Sequence, residues 1–209
     1  MKHYLLCGNV KLSDYKGKWL VFFSHPGDFT PVCTTEIIGF AKAYTYFKKI
    51  NTELLGISIG SLNSHLAWLY DIYLKTGLIV NFPIIADSTG SLARKYGMIS
   101  NDVSNSETVR NVFIIDDTGI IRTILIYPMN IGRYIPEILR TVTALQYSQK
   151  TSCMTPANWI PGNPMIVPPP RTFEELQQRN ENIDKNRNGM TWYLSFRNVD
   201  NTPKLDKGG

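Results

Sequence analysis

The chain has 209 residues, a length that suits one α/β domain with an appendage or at most two small domains. Its composition, 43% hydrophobic and 19% charged, excludes a disordered chain. Its formal charge is +5, but lysines and arginines are scattered, whereas nucleic-acid binding requires a concentrated basic stripe. Every apolar run is shorter than the roughly 18 residues that span a bilayer. Neither nucleic acid nor a membrane is therefore an expected partner.

The first half of the chain predicts two buried strands and two helices. The continuous apolar run at 19–24 is typical of a strand covered on both faces, and a loop rich in proline and glycine follows it. Apolar residues at three- and four-residue steps then predict a helix. A second buried strand is predicted at 54–59, and Asn63 or Ser64 is expected to cap the next helix.

The second half predicts three more strands and two helices. A strand at 82–86 and a short helix at 91–96 precede two strands, at 109–115 and 120–127. The sequence Asp-Asp-Thr-Gly between these two strands predicts a hairpin. An amphipathic helix follows at 135–145. This order of elements predicts a central mixed sheet with helices on both faces and an antiparallel pair at one side.

The composition changes after residue 150. Prolines crowd the segment 154–171, which is predicted to form an extended arm and no sheet. Thr172, followed by Glu175, predicts the start of a short helix at 173–179. We therefore expect a domain at 1–150 and a C-terminal arm at 151–209.

Three widely spaced cysteines, Cys7, Cys33 and Cys153, do not form a disulfide framework, so we expect a reducing, cytoplasmic environment. Cys33 follows a strand and a loop and begins a helix, whose N-terminus favours a thiolate over a thiol. Thr30 places a hydroxyl about one helical turn from the sulfur. From position alone, a buried structural cysteine is an equally good interpretation.

The segment Ser-His-Pro-Gly-Asp-Phe-Thr-Pro-Val-Cys-Thr-Thr-Glu contains Pro26, Thr30 and Cys33 in the spacing Pro-x-x-x-Thr-x-x-Cys. This spacing resembles the active-site loop of peroxiredoxins, most of all the one-cysteine subfamily and its archaeal relatives. The segment Val-Arg-Asn-Val-Phe-Ile-Ile-Asp resembles the family strand whose active-site arginine matches Arg110. The segment Tyr-Pro-Met-Asn-Ile-Gly-Arg resembles another family motif and ends at Arg133.

The resemblance implies a thioredoxin-like fold and a thiol-dependent peroxidase that reduces hydrogen peroxide and organic hydroperoxides in antioxidant defence. Cys33 would attack a peroxide oxygen and become a sulfenic acid. Arg110, the Thr30 hydroxyl and the Cys33 amide would stabilise the charge that develops on the departing oxygen. Pro26, Arg110 and Arg133 are expected to bind the substrate, although Arg133 is also consistent with a surface ion pair.

Two further side chains have both a structural and a functional interpretation. Glu36 matches the family residue that helps to hold the arginine, but a carboxylate there also favours a helix N-terminus. His25 is as consistent with a satisfied structural histidine as with a site role. The histidines His3, His25 and His65 are far apart in the sequence, so we expect no metal-ligand cluster and neither a metal nor an organic cofactor.

The family divides by whether a second cysteine resolves the sulfenic acid. Cys7 and Cys153 are the candidates here, but neither matches the usual resolving position. We therefore expect a one-cysteine mechanism with an external reductant, either a thioredoxin-like protein or a small thiol. The resemblance also implies a homodimer or a ring of five dimers, with the arm at 151–209 crossing to a partner subunit. An oligomeric redox sensor or chaperone that uses the same cysteine is the alternative function.

Overall fold

The computed structural model describes residues 10–99, 107–186 and 189–198. Cys7 lies outside these ranges. After a 3-10 turn at Leu12–Tyr15, the elements are β1 (Trp19–Ser24), α1 (Pro31–Lys49), β2 (Thr52–Ser58), α2 (Leu62–Thr76), β3 (Ile84–Ala86), α3 (Ser91–Lys95), β4 (Arg110–Ile115), β5 (Ile121–Tyr127), α4 (Ile135–Thr151), β6 (Met165–Ile166), α5 (Phe173–Asn186), β7 (Gly189–Thr191) and β8 (Leu194–Arg197).

Five strands form a central mixed sheet in the order β3-β2-β1-β4-β5. The strands β1, β2 and β3 run parallel, whereas β4 pairs antiparallel with β1 and β5 pairs antiparallel with β4. The three central strands are buried along their whole length, as strands covered on both faces should be. The predicted mixed sheet with an antiparallel pair at one side is confirmed.

Neighbouring side chains of β1 pack into different layers of the protein. Phe22 belongs to a buried cluster that includes Ala93 of α3 and residues of β2 and β4. Phe23 points to the opposite face of the sheet. There its ring stacks on Phe40 of α1, with centroids 4.2 Å apart, and meets Phe82 edge-on. These packing contacts fix the position of the end of β1, and therefore also the position where the following loop begins.

Three predictions about helix ends are wrong, and one of them is the end of α5, which lies at Asn186 and not at 179. Ser61 caps α2 in place of Asn63 or Ser64, and its hydroxyl accepts a hydrogen bond from the Ser64 N–H at 3.1 Å. The helix α4 continues past residue 145 to Thr151, because no glycine or proline interrupts it. It ends where Ser152 adopts a φ of 55°, a left-handed conformation typical of helix C-termini. Among the described residues, no helix is both long and apolar enough to cross a membrane.

The chain divides into two compact units, Met1–Pro136 and Glu137–Gly209. The division at residue 150, which follows composition, stays a prediction. The expectation of no sheet in the arm is wrong, because β6 pairs with β8 and β8 pairs with β7. The prolines of this segment flank β6 and leave its two residues free to pair. The predicted cap of α5 is present, since the Thr172 hydroxyl accepts from the Glu175 N–H at 3.2 Å.

Candidate active site

Cys33 lies in the first turn of α1. Thr30 is the N-cap residue with an extended backbone, and Pro31 occupies the first helical position, where a missing N–H costs no bond. The first intrahelical hydrogen bond runs from the Thr34 N–H to the Thr30 carbonyl at 3.0 Å. The Cys33 N–H is therefore one of the amides that a helix N-terminus leaves without an intrahelical acceptor. The sulfur lies at the positive end of a 19-residue helix.

Arg110, the first residue of β4, reaches the sulfur from a neighbouring strand. Because β4 runs antiparallel to β1, its start lies beside the end of β1 and the loop that leads to Cys33. The Arg110 Nη1 atom is 3.4 Å from Cys33 Sγ, while Nε and Nη2 donate to the Met129 carbonyl at 2.9 and 2.7 Å. Arg110 is 3% exposed and Cys33 is 0% exposed. The Arg110 guanidinium, a cation held in a fixed position, therefore contacts the sulfur in a buried site.

Glu36, one helical turn beyond Cys33, accepts hydrogen bonds from two arginines. Its Oε2 is 2.7 Å from Arg110 Nη1 and 2.6 Å from Arg133 Nη2. Its Oε1 accepts from the Arg133 Nε and from the Arg133 backbone N–H, each at 2.9 Å. Two guanidinium groups and one carboxylate leave one net positive charge, which a Cys33 thiolate would neutralise.

Arg133 is buried, and its described contacts place it behind Glu36. Its Nη1 donates to the carbonyls of Ser24 at 2.9 Å and Asn111 at 3.2 Å. Its guanidinium lies over the Phe23 ring, 5.1 Å from the centroid. Burial lowers the pKa of Arg133, against the opposing charge of Glu36. These contacts suit a residue that holds Glu36, and the expectation that Arg133 binds substrate stays a prediction.

The Thr30 hydroxyl donates to the Gly27 carbonyl at 3.0 Å. A hydroxyl has one proton, so in this arrangement Thr30 offers only lone pairs to other groups. It must rotate before it can donate to a thiolate or to a peroxide oxygen. Pro26 is buried in the same loop, where its ring limits the motion of the chain.

The fold also brings together residues that the sequence keeps apart. Asp28 Oδ1 is 3.3 Å from His25 Nε2, and Asp28 Oδ2 is 2.7 Å from His65 Nδ1. The expectation that the histidines form no cluster is wrong for this pair. The two predicted strands were the sequence signal for this contact. Because β1 and β2 are parallel neighbours, the residues that follow them meet at the carboxyl ends of the strands.

The fold and the site together define a class of protein, a thioredoxin-like α/β domain with a buried cysteine at a helix N-terminus facing an arginine. Residues 5–124 match the AhpC/TSA family, and residues 144–182 match the C-terminal domain of 1-Cys peroxiredoxin. Peroxiredoxin 2 of Caldanaerobacter subterraneus subsp. tengcongensis is 53% identical over 195 residues, which cover 92% of this chain and 86% of that protein. The peroxiredoxin of Methanocaldococcus jannaschii is 48% identical over 201 residues and 92% of each chain.

Solved structures agree with these relatives. The yeast mitochondrial 1-Cys peroxiredoxin has a TM-score of 0.75 and 36% identity over 90% of each chain. A cysteine-to-serine mutant of peroxiredoxin 6 of Arenicola marina has a TM-score of 0.78 and 32% identity over 93% of this chain and 91% of that one. The chain belongs to the peroxiredoxin family and is a thiol-dependent peroxidase. The predicted family, fold and function are confirmed, and the sensor or chaperone alternative is not favoured.

Proposed function

We propose that the chain reduces hydrogen peroxide and organic hydroperoxides by a one-cysteine mechanism in which Cys33 is the nucleophile. The observation that carries the proposal is the 3.4 Å contact between Arg110 Nη1 and Cys33 Sγ, in a buried site held by Glu36. The thiolate attacks one peroxide oxygen in line with the O–O bond. A sulfur–oxygen bond forms, the O–O bond breaks, and its electron pair leaves with the far oxygen.

The departing oxygen takes up a proton and leaves as water or an alcohol, and Cys33 becomes a sulfenic acid. Arg110 supplies a fixed cationic donor for the charge on that oxygen, and the Cys33 N–H supplies a neutral one. The Thr30 hydroxyl adds a further donor once it rotates away from the Gly27 carbonyl. Preorganised donors of this kind need no rearrangement of solvent during the reaction.

The environment of Cys153 supports the one-cysteine form. Cys153 is buried within the C-terminal unit, where it packs with Trp159 and Met165, and Arg197 Nη2 lies 3.2 Å from its sulfur. A resolving thiol must reach the sulfenic acid, so Cys153 would first have to leave this cluster. Cys7 stays the second candidate for a resolving cysteine.

We infer that the reductant is an external thiol in a reducing cytoplasm. The yeast mitochondrial 1-Cys peroxiredoxin is resolved through glutathione and thioredoxin systems. In the present chain, a first thiol would displace water from the sulfenic acid and form a mixed disulfide with Cys33. A second thiol would then release the Cys33 thiolate, which returns the enzyme to its starting state.

Peroxide consumption with excess dithiothreitol tests this function. The Cys33→Ser variant is expected to be inactive, whereas the Cys7→Ser/Cys153→Ser variant is expected to keep the wild-type rate. After one equivalent of peroxide, mass spectrometry of a dimedone-treated sample should show the reagent on Cys33. A disulfide from Cys33 to Cys7 or Cys153 would contradict the one-cysteine mechanism.

We propose that the chain forms at least a homodimer, with a decamer as the larger alternative. The strand β5 lies at one edge of the sheet, and its side chains Ile121, Ile124 and Ile126 are 44%, 51% and 68% exposed. An apolar edge strand readily pairs with a second copy. Exposed apolar residues of the C-terminal unit likewise support an arm that reaches a partner, among them Phe173 and Met190.

Sedimentation equilibrium is expected to give the mass of two or ten chains. Replacing Ile126 by lysine should weaken the assembly, because the charge would have to be buried at the paired edge. Ile79→Lys, at an exposed position outside the sheet, is the matched control and should leave the mass unchanged. A monomeric wild type would contradict this prediction.

A further inference from the structure

Asp28 ties the loop before Cys33 to the helix α2. Its two carboxylate oxygens are hydrogen-bonded to different histidines, Oδ1 to His25 Nε2 at 3.3 Å and Oδ2 to His65 Nδ1 at 2.7 Å. The side chains of His25, Asp28 and His65 are 0%, 5% and 3% exposed. A buried carboxylate is costly unless donors surround it. These bonds therefore favour one position of the loop over all others.

The hydrogen bonds also fix the orientation of both rings. A carboxylate only accepts, so each histidine presents an N–H to Asp28. The Nε2 atom of His65 then faces the Ser58 hydroxyl at 3.5 Å. Gly60 leaves room for this ring, because a Cβ at position 60 would lie 2.9 Å from His65 Cε1. Burial lowers the pKa of His25, against its hydrogen bond with Asp28, so this ring stays neutral near pH 7.

The loop needs such an attachment because its backbone is strained. Phe29, the residue after Asp28, has a φ of 54°, in the left-handed region that residues with a Cβ rarely adopt. The Phe29 side chain is exposed and gains little from packing. A strained residue persists only where its surroundings hold it, and the bonds of Asp28 are the contacts next to it.

Helix α2 also contacts the chain just after the nucleophile. Trp68, one turn beyond His65, donates its Nε1–H to the Thr34 hydroxyl at 3.2 Å. The centre of the Trp68 ring system lies 5.2 Å from that of the His25 ring. The start of α2 therefore holds the loop before Cys33 through His65 and the helical turn after it through Trp68.

We propose that Asp28 and His65 are positioning residues for peroxide reduction. They act through the loop, which they hold in the one geometry that brings Thr30, Cys33 and Arg110 to the same peroxide. The inference rests on the proposed role of Cys33. It adds two residues that do not belong to the ion-paired group of Glu36, Arg110 and Arg133. A shift of about 1 Å at the reacting atoms lowers a rate by up to about a hundredfold.

The test compares two reactions of Cys33 in the Cys7→Ser/Cys153→Ser background. Asp28→Asn should lower kcat/KM for hydrogen peroxide about ten- to a hundredfold, because the amide offers one acceptor oxygen where the carboxylate offers two. Alkylation of Cys33 by iodoacetamide should stay within about twofold, since it needs the thiolate but no oriented peroxide. Asp71→Asn, which removes an exposed carboxylate from α2, is the matched control and should change neither rate.

Two substitutions of His65 sharpen the test. The side-chain amide of asparagine keeps an N–H near the Nδ1 position, whereas that of glutamine places it farther out. His65→Asn should therefore retain most of the peroxide rate, and His65→Gln should resemble Asp28→Asn. The double variant Asp28→Asn/His65→Gln should be no slower than either single variant, because both remove the same contact.

Several outcomes would overturn the inference. They are a wild-type kcat/KM in Asp28→Asn, a parallel fall in alkylation, and equal losses in His65→Asn and His65→Gln. Loss of activity in EDTA with recovery in Zn²⁺ would also overturn it, because the three donor atoms lie within 4.8 Å of one another and would then serve a metal ion. An active wild type with an inactive Cys33→Ser variant keeps the proposed function distinct from these outcomes.

Discussion

Replacing Arg110 by lysine is expected to lower kcat/KM for hydrogen peroxide about 10²–10³-fold, the usual effect of removing one preorganised donor. The guanidinium contacts the sulfur of Cys33, the Glu36 carboxylate and the Met129 carbonyl at the same time. A lysine ammonium is a single point charge at the end of a flexible stem and cannot keep all three contacts. Stopped-flow measurement of Cys33 oxidation checks this result directly.

Arg122→Lys is the matched control for Arg110→Lys. Arg122 lies on β5, half-exposed, and its Nε donates to Asp116 Oδ2 at 2.5 Å. The same chemical change is made there far from the sulfur, so kcat/KM should not change. A rate for Arg110→Lys within a few-fold of the wild type would mean that charge alone, without the planar fork, stabilises the departing oxygen.

The sequence predicted the elements whose burial is uniform. The run of six apolar or small residues in β1 is buried throughout, and such a run has few interpretations other than a central strand. The small sheet of the C-terminal unit was not predicted, because β6 has only two residues and prolines lie close to both of its ends. Local propensity cannot show that so short a segment pairs with β8, which follows it only after the helix α5.

The candidate active site also has some features that the sequence could predict and others that it could not. The spacing of Thr30 and Cys33 is local, so it can be read from the sequence. The contact of Glu36 with Arg110 depends on β4 lying beside β1, and the resemblance to a family supplied it where spacing could not. The contact of Glu36 with Arg133 was not predicted. The bridge from Asp28 to α2 was not part of the resemblance, and it could have been predicted only from the order of the strands, which places β2 beside β1.

Replacing Glu36 by glutamine is expected to lower the free energy of unfolding by about 3–5 kcal/mol, the usual cost of removing one partner of a buried ion pair. Glutamine has nearly the same shape, so the loss comes from charge and leaves no cavity. The two guanidinium groups would then lack the carboxylate that lies between them. Urea unfolding should show a lower midpoint with an unchanged slope.

The matched control is Glu137→Gln, whose carboxylate pairs with Arg140 in a half-exposed position on α4. Because exposed pairs contribute about 0–1 kcal/mol, this variant should lose no more than that. A loss of the same small size in Glu36→Gln would contradict the view that the buried charges depend on Glu36.

The double variant Glu36→Gln/Arg133→Met separates stability from catalysis. Methionine can keep contact with the Phe23 and Phe40 rings that the guanidinium of Arg133 now covers. Removing the second buried charge should therefore restore part of the lost stability, as replacement of whole buried ion pairs often does. Peroxide reduction should be slow in both Glu36→Gln and the double variant, because Arg110 lacks in each the carboxylate that orients it toward Cys33. Recovery of both properties together would show that Glu36 serves stability alone.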